Sequence, residues 1–141
     1  MKISVKSDYA LHAIFDLAMH SSNEPVKIAD IARRQNIPQK FLELILSNLK
    51  QGGFVESRRG ADGGYRLSKP ASRLTVGEVL RYVEGRQTER GRPRQDGASP
   101  FGEMWKQVDQ SAAAVLDNMT FEALVRKWEE SRNRFVPNWE I

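Results

Sequence analysis

The chain has 141 residues, and 22 lysines and arginines against 18 aspartates and glutamates leave a net charge of +4. Domains commonly span roughly 100–200 residues, so this length suits one compact unit with an appendage. No cysteine is present, which excludes disulfides, thiolate zinc sites, cysteine nucleophiles and all-thiolate iron–sulfur sites.

No apolar run approaches the ~18 residues of a membrane span, because Asp8, His12 and Asp16 interrupt the richest stretch. The opening MKISVKSDYA lacks the continuous apolar region of a signal peptide, so a cytoplasmic protein without a membrane partner is expected. The charge is uneven. Between Arg58 and Arg94 there are ten cations and only four anions, an excess that attracts polyanions or acidic membrane surfaces.

In chain order, residues 8–19 form the first periodic segment, with Leu11, Ile14, Leu17 and Ala18 at helical spacing. Ser7 or Asp8 is placed to cap it, and Pro25 with its polar neighbours ends it. A short helix over 28–35 presents Ile28, Ile31 and Ala32. Asn36-Ile37-Pro38 then turns the chain, with Pro38 in a first-turn position that costs no hydrogen bond. The spacing of Leu42, Ile45, Leu46 and Leu49 predicts a third helix over 39–51, stopped by Gly52-Gly53. Two helices joined by so short a turn read as a helix-turn-helix.

Residues 54–59 alternate as a strand, GADGG at 60–64 must turn, and 65–67 return as a second strand. A helix-turn-helix followed by a basic, glycine-tipped hairpin is the order of a winged helix. There the third helix reads the major groove, and the wing tracks phosphates or enters the minor groove. The expected partner is double-stranded DNA. Candidate contacts on the helix are Gln39, Lys40, Glu43, Leu44, Ser47 and Asn48, and the wing adds Arg58, Arg59, Gly60 and Tyr65. Lys40 can reach guanine or a phosphate, whereas Glu43 can accept only from cytosine N4.

Thr75 and Glu78 match a capping box that opens a helix bearing Val79, Leu80 and Val83. Residues 85–100 are polar, basic and rich in glycine and proline, as a loop is. A long helix should start near Glu103, with Met104, Val108, Ala112, Val115 and Met119 recurring along it. Such a stripe needs a partner surface, either its own domain, onto which it would fold back, or a second copy of the chain, which fits better, since DNA readers of this size usually dimerise to meet two half-sites. Thr120 caps a further helix carrying Leu124, Val125 and Trp128. The chain thus divides into a winged helix over 1–84, a loop over 85–100 and dimerisation helices with a tail over 101–141. The fold class is mainly α with a two-stranded β wing.

Asp8, His12, Asp16 and His20 recur every four residues on the first helix. They read as a solvated polar face, with Asp8 and His12 the only metal candidates and no cofactor expected. Trp105, Trp128 and Trp139 read as core or dimer packing. Two histidines without a nucleophile partner make no triad, and no phosphate loop or zinc motif is present, so no catalytic residue is assigned and no enzyme is expected.

The opening MKISVKSDYALHAIFDLA, the block from ADIARRQNIPQKFLELILSNLKQGGFVESRRGADGGYRLSKPASRLTVGEVLRYVEG and the later NMTFEALV together resemble the Rrf-type family of bacterial winged-helix regulators. That family includes IscR-, NsrR- and CymR-type proteins. The resemblance implies a homodimer with crossing C-terminal helices, bound to a near-palindromic operator as a transcriptional regulator, most simply a repressor. It also implies that Glu43 stands where IscR-type members tune operator choice, and that Asp8 and His12 match places from which some relatives supply cluster ligands. The family's three-cysteine loop corresponds here to GRQTERGRPRQDGASPFGE, which has no cysteine. The signal would then come from a small molecule or a partner protein.

Overall fold

The computed structural model describes residues 2–20, 24–61, 63–85 and 99–134, apart from the side chain of Arg134. Helices α1 (Val5–Met19), α2 (Ile28–Gln35) and α3 (Gln39–Gln51) come first, then strands β1 (Val55–Arg58) and β2 (Gly64–Leu67). A single 3-10 turn at Ala71–Arg73 leads to α4 (Val76–Glu84), followed by α5 (Gly102–Asp117) and α6 (Phe121–Arg134). Most of the loop expected at 85–100, and Trp139, lie outside the described residues.

Helix α1 begins one turn earlier than its apolar pattern. Ser4 is the N-cap, its Oγ accepting from the Ser7 backbone at 3.1 Å, so neither Ser7 nor Asp8 has that role. The added turn contains exposed Val5 and Lys6, which carry no core-facing signal. Ser7 is instead buried and donates through Oγ to Glu84 at 2.5 Å, while the Ser4 backbone donates to the same oxygen at 3.1 Å. Those hydrogen bonds, Ser7's first, hold the Glu84 carboxyl below its ordinary range. They also fasten the end of α4 to the start of α1.

Asn36 ends α2 in the left-handed region at φ 54°, a conformation asparagine tolerates better than most residues. Pro38 falls at the N-cap of α3, one place before the first turn. The hairpin pairs Val55 with Leu67 and Arg58 with Gly64 in antiparallel register. A further bridge joins Val26 to Tyr65 through backbone hydrogen bonds of 2.7 and 2.8 Å. Gly64 is needed for that approach, since a β-carbon there would strike the Val26 carbonyl.

The capping box forms as the sequence reads, with the Glu78 backbone donating to Thr75 Oγ1 at 3.3 Å and the reciprocal contact at 3.4 Å. Backbone bonds from Val76 to Met119 (2.9 Å) and from Phe121 to Leu74 (3.0 Å) stitch the C-terminal helices to the start of α4. Phe121 is 1% exposed and belongs to the same core as Ile14, Leu42 and Val79. Burying such an aromatic contributes about 1.5–3 kcal/mol.

Helix α5 differs. Gly102 is its only buried residue, and Met104, Val108 and Val115 are left exposed. Met119 lies past the helix end, half-buried against the chain's own core, because the helix stops at Asp117. None of the described helices is long and apolar enough to cross a membrane.

Candidate nucleic-acid interface

Gln39, Lys40, Glu43, Leu44 and Ser47 are exposed along α3, and Asn48 is half-buried. They point outward because Leu42, Ile45, Leu46 and Leu49 take the opposite side into the core. Leu44 is 70% exposed and Phe41 56% exposed. An apolar side chain left in water on such a helix suits the methyl group of thymine. Phe41 carries no signal in the sequence for such a place, since aromatics in helices are usually core. Its ring stands edge-on to Tyr9, with centroids 6.3 Å apart.

The wing lies next to this face. Lys50 Nζ donates to Ser57 Oγ at 2.7 Å, tying the end of α3 to β1, and Arg66 pairs across the hairpin with Glu56 at 3.0 Å. Arg58, Arg59 and Gly60 are exposed at the turn, where Gly60 takes φ 112°, a value that glycine adopts readily and other residues do not. Among the described residues no carboxylate pairs with Lys40, Arg58 or Arg59. Three cations without a carboxylate partner among the described residues, and a row of polar side chains, thus lie on α3 and on the wing next to it. Tyr65, by contrast, is half-buried and packs on the core, and Asp62 lies outside the described residues.

Asp8, His12 and His20 of the α1 polar row are exposed, as the spacing predicts, but the fourth member departs from that face. Asp16 is fully buried. Its carboxylate accepts from Arg34 Nε and Nη2, both at 2.9 Å, and from Gln35 Nε2 at 3.1 Å. A buried carboxylate is tolerated only when paired in this way. The hydrogen bond to Asp16 is the first cause of the raised pKa of the Arg34 guanidinium. His12 Nδ1 lies 3.2 Å from Gln35 Oε1, and its Nε2 lies 3.5 Å from Asp8. The row therefore runs from exposed Asp8 to buried Asp16 and binds α1 to α2, the first helix of the helix-turn-helix.

Alongside this row a cavity of about 580 Å³ opens between α1 and α6. Leu11 and Phe15 line it from α1, Leu124 and Trp128 from α6, and Arg34 and Gln35 from α2. Trp128 meets Phe15 edge-on at 6.4 Å but stays 49% exposed, so its ring is only partly used in packing.

An iron–sulfur cluster does not fit these residues. The chain has no cysteine and two histidines, and Asp16 is committed to Arg34. Among the described residues no three histidines or carboxylates gather as metal ligands. Cluster sites rest on thiolates, with histidine replacing only some of them. Protein purified under strict anaerobiosis is expected to be colourless, with iron and sulfide well below stoichiometric amounts. A visible charge-transfer band with matching iron content would overturn this.

The sequence profile of the family described as Rrf2, iron-dependent transcriptional regulator, matches residues 3–127. The chain is 35% identical over 135 residues to the HTH-type transcriptional regulator IscR of Klebsiella pneumoniae, covering 92% of this chain and 82% of that one. Among solved structures, IscR of T. potens superposes with a TM-score of 0.80 at 34% identity, over 93% of this chain and 90% of the other. CymR, the global cysteine regulator of B. subtilis, gives the same TM-score at 31% identity, over 90% and 98%. With the helix-turn-helix and wing in place and the match spanning most of its length, the chain belongs to the Rrf2 family and is a winged-helix transcriptional regulator, not an enzyme.

Proposed function

We propose that the protein binds double-stranded DNA sequence-specifically and acts as a homodimeric repressor on a near-palindromic operator. The observation that carries this reading is α3 with the wing next to it, where Lys40, Arg58 and Arg59 have no carboxylate partner among the described residues. On this reading Gln39, Lys40, Leu44 and Ser47 meet base edges or phosphates in the major groove. Glu43 repels phosphates and disfavours wrong sites, raising selectivity more than affinity. Arg59 borders the minor groove, where narrow stretches attract cations.

Arg59→Ala tests it. Operator affinity should fall, and the slope of log affinity against log salt should flatten by about 0.9, the worth of one neutralised phosphate. Gel-shift titrations across a salt series measure both quantities. An unchanged affinity together with an unchanged slope would refute the assignment of the wing. The donor set argues against a cluster as the input, and the α1–α6 cavity favours a small-molecule effector over a partner protein.

A further inference from the structure

We infer that the cavity between α1 and α6 is an effector site for a small molecule with a flat apolar body and one anionic group. This rests on the operator-binding reading above and deepens it. The volume, about 580 Å³, falls within the roughly 300–1,000 Å³ typical of small-ligand sites. Its composition follows the same pattern, apolar and aromatic walls with a few polar groups at fixed places.

The two helices divide the recognition. Leu11 and Phe15 form an apolar row on α1, beside the polar row of Asp8 and His12. Leu124, Trp128 and Arg132 recur every four residues on α6, and all three line the cavity. Trp128 is partly open, so one aromatic surface remains free for a planar ligand to stack upon.

Charge selects the other end of the ligand. Arg34 and Asp16 form a neutral pair, and His12 lies beside Asp8 at the rim. Arg132 is exposed and, among the described residues, has no carboxylate partner. A carboxylate or sulfonate on the ligand supplies one through charge-assisted hydrogen bonds. The α5 stripe proposed for dimerisation contributes nothing to these walls, so the two surfaces are separate.

Occupancy would reach the DNA-binding face through α2. Arg34 and Gln35 sit at the cavity wall and at the end of the helix that packs against α3. A ligand that engages them biases the placement of the recognition helix, and coupling of this kind typically changes affinity about 5–150-fold.

The test uses the full chain and two fluorescent probes of similar shape, anionic anilinonaphthalenesulfonate and neutral phenylnaphthylamine. The wild-type protein should bind the anionic probe saturably, one per protomer, and its operator affinity should change at least about fivefold at saturation. Leu11→Trp, which fills the cavity, should abolish binding of both probes while leaving operator binding intact. Arg132→Gln should weaken the anionic probe about tenfold and leave the neutral one unchanged, a difference that a structural role for Arg132 would not produce.

Probe binding that ignores both substitutions would overturn the proposal, as would saturation without any change in operator affinity. Binding seen only after Val108→Asp with Val115→Asp has separated the protomers would also overturn it, because a second subunit would then occupy the cavity. In each of these cases intact operator binding by the wild-type protein leaves the regulator reading standing. Failure of the wild-type protein to bind any duplex preferentially would sink that reading instead.

Discussion

Replacing Val108 and Val115 together with aspartate should convert the protein to a monomer. Both side chains are exposed, 50% and 64% respectively, so neither change disturbs the core of its own chain. In a dimer joined through α5 the new carboxylates would face an apolar seam, and burying unpaired like charges is strongly unfavourable. Half-buried Ala112 and Ala113 at the middle of the helix would let two backbones cross closely. The dimer would set its two α3 helices about 34–36 Å apart, facing successive major grooves, so the operator should be an inverted repeat. Once linkage is lost, operator affinity should drop by about a hundredfold or more. Sedimentation velocity and gel shifts measure the two effects, and circular dichroism should show unchanged helix content. A double variant that still sediments as a dimer and binds normally would place the interface elsewhere.

Arg34→Met should destabilise the fold by about 3–5 kcal/mol. Asp16 is fully buried, whereas the Arg34 side chain is 30% exposed, and this asymmetry decides the order of effects. Removing the arginine leaves the carboxylate away from water with only Gln35 Nε2, at 3.1 Å, and His20 Nδ1, at 3.7 Å, beside it. Removing the carboxylate through Asp16→Asn leaves a guanidinium that can turn toward solvent, so that loss should be smaller. Urea unfolding of both variants tests the order; equal losses, or a greater loss for Asp16→Asn, would mean that Arg34 is not what makes the buried carboxylate tolerable.

The elements that were legible in the sequence are those governed by near neighbours. The apolar spacing of Leu42, Ile45, Leu46 and Leu49 gives α3 its bounds, and the Thr75–Glu78 box needs only residues three apart. The α3 face and the wing could be read for the same reason. Asp16 was not legible, because its partner Arg34 is 18 positions away and a four-residue polar repeat looks the same in water and against another helix. Ser4 was hidden by a first turn whose exposed residues carry no apolar signal. Phe121 and Met119 depend on how the C-terminal helices return to Leu74 and Val76, a contact no local pattern encodes. The cavity has the same origin, since it exists only where α6 lies across α1.

The return of Phe121 into the core also orders events during synthesis. The half of the molecule that presents α3 and the wing is made first, yet the core it shares with Phe121, 1% exposed, stays incomplete until residue 121 has emerged. Contacts between distant parts of the chain form late and slowly compared with local ones. A nascent or prematurely terminated chain ending before that point would carry recognition residues on an unfinished scaffold and have little capacity to occupy a promoter. Closing of this core and the appearance of residue 121 are thereby made to coincide.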